Sequence, residues 1–156
     1  MKGEPASIPK LSDLLTDDVI AVNVSASDWK DAIRKSGELL LNIGVIEPRY
    51  IDAMIKFCKE YKAYIVIAPG IALPHARPED GVKRICLSLI TLKEPVRFGH
   101  PQNDPVDLVI ALGAIDNKSH IKALGQLAKV LMDKETLKAI RSAQTKEDIL
   151  KIIRKQ

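Results

Sequence analysis

The order of apolar and polar residues along the chain predicts β-strands separated by longer helical segments. Apolar residues alternate with polar ones or run together in four strand-length segments, at residues 20–24, 64–68, 83–92 and 106–112. The last segment is almost continuously apolar and ends at Gly113, as a strand does in the centre of a sheet that is covered on both faces. A shorter apolar piece, residues 71–73, follows a turn formed by Pro69 and Gly70.

Apolar residues recur every three or four positions in the remaining segments, which predicts amphipathic helices. We expect these helices at residues 11–15, 28–43, 48–61, 118–132, 134–141 and 146–153. Ser27 is the predicted N-cap of the second helix, and Thr145 with Asp148 has the spacing of a capping box. The order of elements predicts an α/β fold: a single-domain mixed β-sheet flanked by helices on both faces, in three layers.

The length of 156 residues suits one domain with one hydrophobic core. Residues 1–10 are rich in proline and polar residues and predict a loose N-terminal leader, which leaves residues 11–156 as the domain. No apolar run approaches the roughly 20 residues that cross a bilayer, and no signal-peptide core is present, so we expect a cytoplasmic protein without direct membrane insertion. Cys58 and Cys86 lack metal or redox spacing and are predicted core thiols.

The net charge of +4 does not predict a nucleic-acid partner. Lysine and arginine are interleaved with aspartate and glutamate throughout the chain. Aromatic residues make up only 4% of the sequence, which leaves few platforms on which bases stack. We therefore expect no nucleic-acid binding.

Two of the three histidines occupy positions that suit chemistry. His75 directly follows Pro74 at the end of an apolar segment, and a polar turn comes after it, so a stiff backbone holds this imidazole at an exposed rim. His120 lies in the first turn of a helix that follows the strand at 106–112, on its apolar side. Because ligands collect beyond the carboxyl ends of strands, the two imidazoles could meet in one cleft.

The start of this helix adds unpaired N–H groups at residues 117–120 and a partial positive charge, which favours an anion. A neutral imidazole attacks phosphorus near neutral pH if its other nitrogen gives its proton to a fixed acceptor. The predicted product is a phosphohistidine on His75. His120 and Arg77 could then bind the phosphoryl oxygens.

Residue types alone leave other roles open. His75 could be a structural or surface histidine, His120 a helix-cap or core residue, and His100 a solvated loop residue. A metal site built from these three histidines lacks both the usual spacing and a further ligand. Glu79 and Asp80 fit turn chemistry. A plain anion-binding domain without covalent chemistry also remains possible.

Longer stretches of sequence resemble a known family. Residues 64–82, YIVIAPGIALPHARPEDGV, are similar to the phosphorylation-site segment of the EIIA components of the bacterial phosphoenolpyruvate:sugar phosphotransferase system, of the mannitol/fructose type. Within that family the chain is most similar to the ascorbate branch. Supporting stretches are VIEPRY at 45–50, SLITLKEPVRF at 88–98 and NDPVDLVI at 103–110, and the resemblance covers about residues 11–153.

The resemblance implies an EIIA type-2 phosphocarrier. The phosphocarrier protein HPr would donate a phosphoryl group to His75, which would pass it to a cysteine of an EIIB component. The membrane component EIIC would then import the sugar, and the similarity to the ascorbate branch implies that this sugar is ascorbate. The resemblance implies no metal or organic cofactor. His120 matches the second active-site histidine of the family. The alternative implied by the same fold is a free-standing regulatory module that uses phosphorylation as a signal.

The sequence departs from the family pattern near the site. An active-site arginine of the mannitol member aligns with Lys59, and lysine lacks the forked donors of arginine. Arg77 is our predicted replacement. Ala76 stands where a glycine often follows the histidine. Protein partners need a shallow apolar rim, and we expect the following contact residues there: Ile71, Leu73 and Phe98.

Overall fold

The computed structural model describes residues 9–156. The predicted N-terminal leader lies outside these residues, apart from Pro9 and Lys10. None of the helices within 9–156 combines the length and apolar character that a bilayer-spanning helix needs.

In the described part of the chain, five strands form one mixed sheet, as predicted. They are β1 (Ile20–Val24), β2 (Val66–Ala68), β3 (Ile71–Ala72), β4 (Cys86–Val96) and β5 (Val106–Gly113). The order across the sheet is β1-β4-β5-β3-β2, so β5 is the central strand. β1 is parallel to β4 and β3 is parallel to β5, whereas the pairs β4–β5 and β2–β3 are antiparallel.

Within residues 9–156, seven helices surround this sheet. They are α1 (Leu11–Leu14), α2 (Trp29–Asn42), α3 (Pro48–Glu60), α4 (Lys62–Ile65), α5 (Asn117–Met132), α6 (Lys134–Ser142) and α7 (Lys146–Arg154), with short 3-10 turns at Asp17–Val19 and Pro78–Asp80. Successive residues of a strand point to opposite faces, and every residue from Cys86 to Leu92 is buried. Both faces of β4 are therefore covered, which agrees with the predicted three layers.

Three local predictions were wrong in part. The strand predicted at 83–92 spans Cys86–Val96, and the other two concern α2 and β2. The N-cap of α2 is Asp28, not Ser27, because the Asp28 carboxylate directly precedes the helix and accepts the Asp31 N–H at 2.8 Å. The predicted strand at 64–68 begins only at Val66. The preceding residues form α4, where the Tyr64 N–H donates to the Tyr61 carbonyl at 2.9 Å. The capping box of Thr145 and Asp148 is present as predicted.

The turn at Gly70 sets the register that leads to His75. Gly70 has a φ of +76°, a left-handed conformation that glycine adopts without steric cost. Its carbonyl accepts the Asp107 N–H at 2.9 Å, which ties the turn to the start of β5. From there Ile71 pairs with Leu108, and β3 runs parallel to β5 toward the carboxyl end of the central strand.

His100 lies at the other end of β5. It belongs to the loop between β4 and β5, as predicted, but it is half-buried rather than freely solvated. Its Nδ1 atom accepts the backbone N–H groups of Gln102 and Asn103 at 3.1 and 3.0 Å. The length of β5, about 3.3 Å per residue, separates His100 from His75 and His120, so the structure does not assemble the three imidazoles.

Candidate functional site

The structure brings His75 and His120 together. His75 follows the end of β3, and His120 lies in the first turn of α5, directly after the loop that leaves β5. The centroids of the two rings are 5.6 Å apart, with 57° between the ring planes. Placement of both residues beyond the carboxyl ends of neighbouring strands therefore produces the shared cleft that the sequence indicated.

Backbone hydrogen bonds to two different segments fix the residues that precede His75. The Leu73 N–H donates to the Ile65 carbonyl at 2.7 Å. The Leu112 N–H, at the end of β5, donates to the Pro74 carbonyl at 2.9 Å. Because Pro74 also has a fixed φ, the segment that carries the imidazole has little freedom to move.

One nitrogen of His75 is committed to the backbone. Nδ1 lies 2.8 Å from the Leu73 carbonyl oxygen, which only accepts, so Nδ1 carries the proton in this contact. Nε2 then keeps its lone pair. Burial lowers the pKa of His75, an effect that the hydrogen bond to Leu73 partly opposes. The ring is therefore neutral at neutral pH and presents one nucleophilic nitrogen.

The second imidazole stands on a capped helix end. The Asp116 carboxylate accepts the Ser119 N–H at 2.7 Å, and the Asp116 carbonyl accepts the His120 N–H at 3.1 Å. Two of the N–H groups that the sequence suggested as free for an anion are thus engaged, so that part of the prediction was wrong. Burial lowers the pKa of His120, and the repulsion that a protonated His75 would exert on a protonated His120 adds to this effect.

A largely apolar groove of 390 Å³ contains both imidazoles. His120 lies on the apolar side of α5, as its spacing predicted. The lining residues are Tyr64, Ile67, Leu73, His75, His120, Leu124, Leu127, Ala128 and Leu131. A shallow apolar groove around two neutral rings suits contact with another protein more than tight binding of a small charged ligand.

A row of aromatic rings leads from this site to the surface. Phe57 lies 5.1 Å from His75 and 4.9 Å from Tyr61, and Tyr61 lies 6.2 Å from Tyr64, between ring centroids. Tyr64 is 68% exposed. The spacing of Phe57, Tyr61 and Tyr64, at i, i+4 and i+7 around a helix end, is the sequence signal that could have revealed this surface.

The predicted contact residues are instead core residues. Ile71 and Phe98 are each 1% exposed and do not line the groove. Leu73 lines the groove but is only 3% exposed, so none of the three forms an exposed docking rim. The strand β3 and the end of β4 are covered by neighbouring elements, which sequence alone did not show. Tyr64 and Ile67 are exposed apolar residues in the groove lining, and the exposed Tyr61 packs against Tyr64.

Arg77 lies outside the groove. Its side chain is 72% exposed, and its Nε atom is 3.8 Å from Glu79 and 3.7 Å from Asp80. It lines a separate cleft, which it shares with Phe57. Lys59 is an exposed residue of α3. The structure does not bring either cation into the groove that contains the imidazoles.

Comparison with known proteins defines the class of this molecule. The family model described as "Phosphoenolpyruvate-dependent sugar phosphotransferase system, EIIA 2" matches residues 13–156. The chain therefore belongs to the EIIA 2 family of that phosphotransferase system, as the sequence motifs predicted. Its members are phosphotransferase components, so the enzyme class follows from membership of the family.

Individual relatives cover nearly the whole chain. The ascorbate-specific PTS system EIIA component of Escherichia coli (strain K12) is 38% identical over 146 residues, which is 92% of this chain and 95% of the relative. The mannitol-specific cryptic enzyme IIA CmtB of Escherichia coli has a TM-score of 0.86 at 35% identity, covering 95% of this chain and 100% of CmtB. The complex of enzyme IIAMTL with phosphorylated enzyme IIBMTL, also from Escherichia coli, gives 0.79 at 26% identity, covering 92% of this chain and 100% of that chain.

Proposed function

We propose that this protein carries a phosphoryl group on Nε2 of His75 between two proteins of a cytoplasmic sugar-uptake chain. HPr is the proposed donor, and a cysteine of an EIIB component is the proposed acceptor, with EIIC as the membrane component. The observation that carries the proposal is the hydrogen bond from Nδ1 to the Leu73 carbonyl, because it leaves one defined nitrogen free to attack phosphorus.

The chemistry consists of two displacements at phosphorus. In the first, the Nε2 lone pair of His75 forms a bond to phosphorus while the bond from phosphorus to the donor protein breaks. In the second, a cysteine thiolate of the acceptor forms the new bond, and the bond from phosphorus to Nε2 breaks with return of the electron pair to the ring. The proton on Nδ1 stays beside Leu73 in both steps, and no metal or organic cofactor takes part.

His120 is proposed to assist both steps. Its ring is close enough for an N–H to approach an oxygen of a phosphoryl group on His75. Donors aimed at phosphoryl oxygens stabilise the charge that spreads over them during transfer. Arg77 stays a predicted phosphate ligand: to serve, its guanidinium would leave Glu79 and Asp80, which is feasible for an exposed side chain whose surface ion pairs are weak.

The apolar surroundings of the site support protein partners. Tyr64 and Ile67 are exposed in the groove lining, and Tyr61 is exposed next to Tyr64. Aromatic residues are enriched where proteins bind each other. The similarity to an EIIA captured with its phosphorylated EIIB supports the same kind of partner here. Identity of 38% to an ascorbate-specific EIIA component supports ascorbate as the transported sugar.

Phosphorylation of the purified chain by HPr, enzyme I and radiolabelled phosphoenolpyruvate tests the assignment. We expect His75→Ala to take up no label, and His120→Ala to fold but to transfer slowly. Addition of EIIB should then discharge the wild-type protein, whereas a purely regulatory module would keep its label. Unchanged labelling of His75→Ala would refute the proposed site, and a wild-type rate in His120→Ala would refute the assisting role.

A further inference from the structure

One residue of β5 is hydrogen-bonded on both sides of His75. In a parallel pair of strands, a residue on one strand bonds to the residues just before and just after its partner on the other. Two pairs define the β3–β5 register, Ile71 with Leu108 and Ala72 with Val109, and extension of this register by three residues places His75 opposite Leu112. The first bond of this bridge, from the Leu112 N–H to the Pro74 carbonyl, is direct.

The second bond of the bridge passes through a side chain. The Tyr50 hydroxyl donates to the Leu112 carbonyl at 2.7 Å and accepts the Ala76 N–H at 3.0 Å. A regular parallel bridge would join that N–H directly to the Leu112 carbonyl. The phenol oxygen therefore takes the place of a direct bond at the point where the chain after His75 turns away from β5.

Tyr50 makes this contact from a fully buried position. It lies on α3 and is fully buried, with 0% exposure. Burial raises the pKa of its phenol well above the ordinary value, so the hydroxyl keeps the proton that it donates to Leu112. A buried tyrosine hydroxyl with both a donor and an acceptor partner is fully satisfied.

We propose that Tyr50 is a positioning residue for phosphoryl transfer, whose hydroxyl fixes the peptide plane after His75 and thereby the orientation of the imidazole. This inference rests on the proposed function of His75. Two bonds to Leu112, one direct and one through Tyr50, fix the planes on either side of the histidine. They set the direction of its side chain and keep Nδ1 within reach of the Leu73 carbonyl.

The rest of the loop has its own attachments. The Glu47 N–H donates to the Gly81 carbonyl at 2.8 Å, and Arg49 Nη1 donates to the Glu79 carbonyl at 2.9 Å. Removal of the Tyr50 hydroxyl should therefore free the short segment after His75 and leave the remainder of the loop in place. The expected result is a misplaced nucleophile in a folded protein.

Replacement of Tyr50 by Phe removes only this oxygen and tests the proposal. We expect the rate at which phosphorylated HPr charges His75 to fall by about tenfold or more, since small displacements of reacting groups are costly. Nitrogen NMR of the His75 ring should show a mixture of tautomers in place of Nδ1–H alone, and the Ala76 amide should exchange faster with solvent. The NMR measurements need no partner, so they test positioning even if the proposed function fails.

Ser88→Ala is the matched control. The Ser88 hydroxyl is equally buried and donates to the Ser36 carbonyl at 2.7 Å, between β4 and α2. Its loss should lower the melting temperature without changing the charging rate or the tautomer of His75. A wild-type rate together with a single Nδ1–H tautomer in Tyr50→Phe would overturn the proposal, and so would equal slowing in Ser88→Ala.

A gentler change covers the case in which Tyr50→Phe does not fold. Incorporation of 3,5-difluorotyrosine at position 50 keeps the ring and the hydroxyl but makes the oxygen a weaker acceptor for the Ala76 N–H. We expect faster exchange of the Ala76 amide and a smaller loss of charging rate. If neither property changes, the hydroxyl does not position His75.

Discussion

Tyr64→Ala should weaken the binding of EIIB while leaving phosphoryl transfer within the bound complex unchanged. Tyr64 lines the groove. Its ring pairs with that of Tyr61, and neither imidazole is among its ring partners in the described part of the chain. Its ring therefore offers a surface for a partner and not a reacting group.

The size of the effect follows from exposed area. Aromatic side chains bury roughly 200 Å² when fully covered, and Tyr64 is 68% exposed, so a partner can cover about 140 Å². At roughly 25 cal/mol per Å² the ceiling is about 3.5 kcal/mol. Incomplete cover and loss of side-chain freedom reduce this to about 1.5 kcal/mol. The dissociation constant should therefore rise about tenfold.

Titration of EIIB by calorimetry measures the dissociation constant, and a single-turnover discharge at saturating EIIB measures transfer in the complex. Ile43→Ala is the control, because Ile43 is 37% exposed but lines a different cleft with Asp13 and Arg84. An unchanged dissociation constant for Tyr64→Ala would contradict a docking role for this surface. A slower single-turnover rate at saturation would place Tyr64 in the chemistry instead.

Two further predictions concern the imidazoles. The pKa of His75 and that of His120 are both lowered from 6.5, so each ring should be less than half protonated at pH 6.5 in an NMR titration. As pH falls below that value the unfolded chain binds protons first, so the free energy of unfolding should decrease until the folded rings titrate and then level off. A half-protonated His75 at pH 6.5 would contradict this. Asp116→Ala and Asp28→Ala each remove an N-cap, and each should lower Tm by about 2–4 °C. Only Asp116→Ala should slow phosphoryl transfer, because only the helix that Asp116 caps carries His120. Equal rates in the two variants would contradict that difference.

Much of the fold follows from local pattern. The bounds of β1 agree with the predicted residues. The almost continuously apolar run at 106–112 became the central strand, because a strand covered on both faces has few polar residues. The proximity of His75 and His120 could also be predicted from the sequence, because the carboxyl ends of neighbouring parallel strands lie at the same edge of the sheet.

Other features depend on contacts between distant segments. The composition of residues 64–68 is typical of a strand. A hydrogen-bonded turn after Tyr61 nevertheless places Tyr64 and Ile65 in α4, so the strand begins at Val66. Leu73 is apolar and precedes the site, but only the packing of other elements decides that it is buried. The Tyr50 hydroxyl meets Ala76 and Leu112 across separate elements, and no periodicity in the sequence indicates such a contact.

The acceptor for the His75 Nδ1 proton belongs to a residue only two positions earlier in the chain. Any tilt or shift of the strand end during docking carries the ring and this carbonyl together. Different partner proteins can therefore bind beside His75 in different ways, and Nδ1 remains the protonated nitrogen while Nε2 remains the nucleophile. A carrier that must serve a donor and an acceptor of different shape thereby keeps the same reactive atom for both.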